Sequence, residues 1–492
     1  MMGTHQPQDQ LFSYRVDLDK RVRADHPLRR INAILDLSFV RPTVELFYGK
    51  NGHVGTDPEI LVKMMLLLFL DNVASERELV AIVRERLDYL WFLGYGLDDE
   101  VPNHSVLSKA RARWGREVFC QLFVRTVQQC VAAGLVEGSK LHIDSSLIRA
   151  DASRDSVTQA SPELVAAIRQ TYAIEEQKLD EQPQKGINTT HISTTDPEAT
   201  IARGGSAQVS QLSYKHHRAV DDAHGVITAV QTTTGVAGDA AQLPGLIQQH
   251  QNHTGIKTEC AVGDKHYGSA QNYRYCQSQD IRSHLGQCQA NTKGKFPVRA
   301  FVYELEQDRY RCPAGHYLDY HNFKKEDQSI EYKIANPALC AACALRAACT
   351  QSESGRTVTR PIFSELVERG QAQARSAAAM KDRLRRRHLM EGSFADARNN
   401  HGFKRARWRG LWRQQIQDWL IAAVQNLRIL MRKGGKQAAG AMASVILELK
   451  TAPAPLTFLS LFVSTVVGKL LEQLGCRKLL CLSTPIVAQN AF

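Results

Sequence analysis

No stretch of this chain is long and apolar enough to cross a bilayer. The longest charge-free apolar run, Leu456 to Gly468, spans 13 residues, against roughly 20 for a spanning helix. The run from Ile60 to Leu70 is shorter and carries Lys63. Both are expected as buried or interfacial helix, and no membrane partner is expected. The opening Met-Met-Gly-Thr-His-Gln-Pro-Gln-Asp-Gln lacks the basic and apolar regions of a signal peptide. The 11 cysteines are odd in number and unevenly spread, which points to a reducing, cytoplasmic setting instead of a disulfide framework. A second Cys-x2-Cys pair is also missing, so the one pair present does not by itself define a zinc motif.

What the chain does have is positive charge. Lys and Arg number 62 against 50 Asp and Glu, a net charge of +12, and such a balance favours a polyanionic partner such as nucleic acid. The length of 492 residues suffices for two or three domains. Asp57-Pro58 reads as an N-cap with proline at the first helical position, and Ser75-x-x-Glu78 as a capping box. A helix opened by Asn103-His-Ser105 carries Lys109, Arg111, Arg113 and Arg116 on its polar side. Lys109 and Arg113 could enter a DNA groove, or the face could simply be solvated.

Leu141-His-Ile-Asp144 alternates as a strand does, so Asp144 sits within or at the end of one. Residues 155–210 are rich in Gln, Glu, Thr and Ser and are expected as a mobile insertion or linker. Gln211 to Asp221 and Gly225 to Thr233 read as a hairpin, Asp239 to Gln251 as a helix, and Glu259 to Asp264 as a short buried strand ending in a carboxylate. On a late helix, roughly Lys381 to Gly402, Arg387, Glu391 and Arg398 share one face. That face is either a solvated set of ion pairs or a metal ligand flanked by phosphate clamps. Singly, each acid could be a cap or turn residue. Together, Asp144, Asp264 and Glu391 are the oxygen donors that two-metal phosphoryl transfer uses. Their mutual repulsion predicts a loose arrangement without metal.

The runs His-Ile-Asp144-Ser-Ser-Leu-Ile-Arg-Ala-Asp-Ala-Ser, Ser-Tyr-Lys-His-His-Arg-Ala-Val-Asp, Gly-Asp264-Lys-His-Tyr-Gly-Ser and Glu391-Gly-Ser-Phe-Ala-Asp-Ala-Arg-Asn-Asn-His-Gly-Phe resemble the DDE transposases of bacterial insertion sequences. The segment Asp57 to Gly138, with Trp-Phe-Leu-Gly-Tyr-Gly-Leu-Asp and Asn-His-Ser-Val-Leu-Ser-Lys-Ala-Arg, is similar to that family's helical N-terminal domain. The resemblance implies an α/β fold: an RNase H-like mixed five-stranded sheet with flanking helices, preceded by an all-helical domain and interrupted by a cysteine-containing insertion. It places Asp144 on the first strand, Asp264 after the fourth and Glu391 on a following helix, as ligands of two Mg²⁺ ions, with Mn²⁺ as an alternative. It implies double-stranded DNA as partner, both the element's terminal inverted repeats and target DNA. A homodimer or higher multimer follows from joining two ends, in a bacterial cytoplasm and on the nucleoid when bound. The family's signature around the last acid is met at Arg387 and Glu391. It departs at Leu384, where tyrosine is expected, and at Arg398, where lysine is usual.

Cys312-Pro-Ala-Gly-His316 and Cys340-x2-Cys343-x5-Cys349 suit tetrahedral zinc, or are free thiols. Cys312, Cys340, Cys343 and Cys349 are the candidate ligands of a structural ion. Lys404, Arg405, Arg407, Trp408 and Arg409 interleave cations with an aromatic, as expected where DNA is tracked, or on an amphipathic surface helix. The expected organisation is a helical DNA-binding domain at 1–138, a first part of the core at 139–300 and a cysteine insertion at 301–360. The last part of the core then spans 361–435, and the apolar tail at 436–492 has no assigned role. Two competing readings are an RNase H-like nuclease without strand transfer and an inactive or domesticated DNA-binding regulator.

Overall fold

Helix-start chemistry shapes the first domain. The Asp57 carboxylate accepts from Glu59 N at 2.9 Å and Pro58 opens the helix Pro58–Leu70 (α1). Nine residues of α1 between Leu61 and Leu70 are buried, so this helix is the central rod of the domain and not an amphipathic cover. Ser75 Oγ accepts from Glu78 N at 3.2 Å to start Glu76–Glu85 (α2). Asn103 caps His104–Trp114 (α3), and Glu117–Ala132 (α4) follows. The computed structural model describes residues 16–48, 55–175, 186–204, 209–286, 295–325 and 328–434.

Alternation along Lys140–Arg149 (β1) sets the second domain, with Leu141 and Ile143 on one face and His142 and Asp144 on the other. Gln211–Asp221 (β2) pairs with β1 antiparallel, and Ile227–Thr234 (β3) folds back onto β2. On the other side Cys260–Gly263 (β4) pairs with β1 in parallel and Arg282–Leu285 (β5) with β4 in parallel. The order β3-β2-β1-β4-β5 is the RNase H-like sheet that the resemblance implies. A sixth strand of three residues, Thr200–Ala202, extends the outer edge of β2.

Asp239–Thr254 (α5), Ala270–Ser278 (α6) and Ser364–Arg375 (α7) cover the Leu141 and Ile143 face through Leu243, Ile247, Tyr273 and Val367. Ala377–His401 (α8) and Leu411–Ile429 (α9) cover the other. A buried sheet edge would strand its backbone polar groups, and α9 meets those of β3 with amides. Asn426 accepts from Ile227 N at 2.9 Å and donates to Ile227 O at 2.8 Å, and Gln415 accepts from Thr232 N at 2.7 Å.

The stretch 155–210, expected as a mobile insertion, is bound to the core in its described parts. Tyr214 Oη donates to Asp196 at 2.6 Å, and Leu411 N donates to Glu198 at 2.6 Å. The cysteine insertion forms its own antiparallel sheet of Val302–Glu304 (β6), Arg309–Arg311 (β7), Tyr317–Lys324 (β8), Ser329–Lys333 (β9) and Thr357–Pro361 (β10) around Tyr310, Leu318, Tyr332 and Val358. The apolar tail, Leu456 to Gly468 included, lies outside the described residues. Among the described residues no helix is long and apolar enough to cross a membrane.

Two members of the basic, aromatic stretch serve the fold instead of DNA. The Arg407 guanidinium donates to Leu68 O at 2.9 Å, to Val73 O and to Asn72 Oδ1 at 2.9 Å, and lies 4.5 Å from the Phe69 ring. Carbonyls at the end of α1 need donors, and Arg407 supplies them from the turn that follows α8. Trp408 meets Phe69 edge-on at 5.9 Å and lies under Arg111, which is buried in an ion pair with Glu76. Arg407→Ala should therefore destabilise the chain by about 2–4 kcal/mol, the range for breaking a buried charged hydrogen-bond set. Arg405→Ala, at an exposed site, should leave the urea midpoint unchanged. Equal midpoints for both variants would contradict the clamp.

Candidate functional site

Parallel pairing places two acids side by side. Leu141 lies opposite Ala261 and His142 opposite Val262, so two residues on, Asp144 and Asp264 occupy matching positions at neighbouring strands. Asp144 is part-buried, accepting from Ser145 N at 2.9 Å, and Asp264 accepts from His266 N at 2.8 Å. Burial raises the Asp144 pKa above the ordinary carboxylate range, and the Asp264 charge pushes the same way. Arg386 opposes both, donating from Nη1 to Asp144 Oδ2 at 2.7 Å.

Arg386 belongs to the stripe of α8 that faces the sheet, with Asp382, Met390 and Ala397. Glu391 does not. Five residues beyond Arg386 it is rotated by about 140° around the helix, and it is exposed with no hydrogen bond or ion pair to a described residue. Arg387, Arg398 and Leu384 share its exposed side. The common face read from the sequence is therefore real, but it points to solvent. The structure brings Asp144 and Asp264 together, and Glu391 lies exposed on α8.

Cations line the far end of β1 and the turn beyond it. Lys404 Nζ donates to Ser146 Oγ at 2.5 Å and to Leu147 O at 3.2 Å, and its pKa is lowered by burial and then by Arg398 and Arg218. Arg405 and Arg409 are exposed and both face Asp151, at 3.5 and 3.6 Å. Lys109 and Arg113 are exposed on α3, away from the buried Arg111.

Behind the pair lies a buried network that the sequence reading missed. Arg218 is the cross-strand partner of Asp144. It donates from Nε to His216 Nε2 at 2.8 Å and from Nη1 to Ser393 Oγ at 2.8 Å, under the Phe394 ring at 4.3 Å. His216 Nδ1 lies 2.9 Å from Asp418, and burial pushes its pKa down to about 4. The imidazole is thus neutral at pH 7 and free to accept from Arg218. The Arg-Ala-Val-Asp run after His-His was the available signal, but a buried arginine reads in sequence like any surface cation.

In the insertion, Cys312, Cys340, Cys343 and Cys349 line one pocket together with His316. Cys312 Sγ accepts from His316 N at 3.3 Å. Burial raises the Cys349 thiol pKa, and the other three cysteines add to the rise. Their donor atoms are spread more widely than those of Cys260, His284 and Asp382, which lie within 4.8 Å of one another.

Two family models match parts of this architecture. Residues 16–113 match a transposase domain of the type DUF772, and residues 311–431 match a transposase DDE domain. No curated protein matches the chain. A helical N-terminal region matched as transposase, an RNase H-like sheet with paired acids, and a DDE match that runs from the cysteine insertion through the last helices together support an insertion-sequence DDE transposase.

Proposed function

We propose that the chain binds the terminal inverted repeats of its own element, hydrolyses phosphodiesters at the element ends, and joins the freed 3′-hydroxyls to target DNA. The observation that carries this reading is the adjacency of Asp144 and Asp264 on β1 and at the end of β4, beneath the helix that holds Glu391. Hard oxygen donors fit divalent magnesium or manganese, and the Arg386 guanidinium occupies the place beside Asp144 that such a cation would take. When bound, two such ions neutralise phosphate charge and lower the pKa of a nucleophile. Asp144 and Asp264 would hold them, and Glu391 would join once metal and DNA offset the repulsion among three carboxylates. Arg387 and Arg398, exposed on the Glu391 side, would hold the phosphate. Lys404, Arg405 and Arg409 would extend the DNA track, and Lys109 and Arg113 would contact DNA from the first domain. Two ends must be joined, so at least a dimer is expected.

The experiment is metal-dependent cleavage and joining of a duplex carrying the terminal repeats that flank this gene. Wild type should do both, while Asp264→Asn and Glu391→Gln should bind the duplex yet lose both steps by roughly 10³-fold or more, the scale of removing a group that acts only in the transition state. Cleavage without joining would favour a nuclease, and binding without cleavage a regulator. Joining by Glu391→Gln would exclude Glu391 as the third ligand.

Arg386 gives a sharper expectation. Removing its competition for Asp144 should tighten Mn²⁺ binding to the free protein. Arg386→Gln should lower the apparent dissociation constant by roughly tenfold, equivalent to about 1.4 kcal/mol. Electron paramagnetic resonance of free Mn²⁺ would read the change, and an unaltered constant would show that the ion pair does not compete with metal.

The four cysteines of the insertion would hold one zinc ion that orders β6 to β10 and takes no part in the chemistry, since four protein ligands close a site. Cys343→Ser should lower the zinc content by one ion per chain and speed proteolysis within 301–360. Unchanged zinc and unchanged proteolysis would mark the cysteines as free thiols.

A further inference from the structure

Three donor atoms that this chemistry does not use converge on the α8 side of the sheet, at the start of β4 and away from the carboxylate pair. Cys260 begins β4, His284 lies on β5 and Asp382 lies on α8, two and a half turns before Glu391. Nδ1 of His284 is 2.7 Å from Asp382 Oδ2 and 3.4 Å from Cys260 Sγ, and that sulfur is 4.0 Å from Oδ2. Ligands held about 2.0–2.3 Å from a tetrahedral ion are separated by roughly 3.3–3.8 Å. The sulfur–nitrogen edge already has that length. The nitrogen–oxygen edge is shortened by the proton between the two atoms, and an ion in the proton's place would open it.

We propose that Cys260, His284 and Asp382 bind a thiophilic divalent cation, zinc first, which staples α8 to β4 and β5. One thiolate, one imidazole and one carboxylate form a donor set for zinc and not for magnesium. The surroundings are those of a metal site as well. Lys140 Nζ donates to Asp382 Oδ1 at 2.9 Å, which fixes the carboxylate with Oδ2 turned toward the sulfur and the imidazole. Outer partners commonly orient metal-ligating carboxylates in this way. Thiolate and carboxylate balance the ion, and the Asp222 charge acts on Lys140 and Cys260 alike. All three residues are buried, Cys260 fully and His284 and Asp382 to 6% and 7% exposure. Without a cation the Cys260 thiol stays protonated, because burial pushes its pKa up to about 12. Loading sends that thiol proton to solvent and moves the imidazole proton from Nδ1 to Nε2.

The staple does not depend on the transposition reading, and its test is independent of DNA. The full chain carrying Cys312→Ser and Cys343→Ser, which empties the insertion, is loaded with zinc, gel-filtered and analysed by plasma mass spectrometry. One equivalent is expected, falling to none when Cys260→Ser or His284→Gln is added. Two separate variants keep the test usable if one fails to fold. Cobalt loading of the same background should give a thiolate-to-metal charge-transfer band that Cys260→Ser abolishes. A background chain that retains no zinc and shows no such band would overturn the proposal, leaving the triad as a hydrogen-bonded core. So would zinc and cobalt signals indifferent to Cys260→Ser.

Discussion

The parallel pairing of β4 with β1 is the constraint on which the rest of the site depends. It sets Asp144 and Asp264 at matching positions of neighbouring strands, where burial and the neighbouring Asp264 charge oppose ionisation of Asp144. The fold answers with cations at short range. Arg386 takes one oxygen of Asp144 directly, and Arg218 stands opposite on β2. The arrangement that makes the pair attractive to a metal also makes it depend on a substitute charge when none is bound. Glu391 lies exposed on α8.

Elements with local signals were legible in the sequence. Asp57-Pro58, Ser75-x-x-Glu78 and Asn103 start helices where their caps say they should. Alternation around Asp144 and the short run before Asp264 mark β1 and β4. The strand order came from the resemblance, since nothing local in the chain states which strands pair.

The facing of α8 was not legible, for a physical reason. Its sheet-facing stripe contains Asp382 and Arg386, and its outer stripe contains Arg387, Glu391 and Arg398. Polar residues on both sides leave almost no apolar periodicity to choose between them. The same blindness covers Arg111, Arg218 and Arg407. Composition reads an arginine as a DNA contact or a solvated cation, whereas these three are held inside by Glu76, by His216 and Ser393, and by the carbonyls of Leu68 and Val73. Asn426 and Gln415 on α9 likewise look like surface amides, yet they close the edge of β3. Long-range partners decide each case, and the chain order does not name them.

The most direct test is diffraction from crystals of the chain bound to its element-end DNA and soaked in Mn²⁺, with data collected at the manganese absorption edge. The account predicts anomalous peaks in contact with Asp144 and Asp264, Arg386 withdrawn from Asp144, and the Glu391 carboxylate turned in to the metal. Peaks away from both aspartates, or a Glu391 still facing solvent with metal and DNA in place, would contradict it.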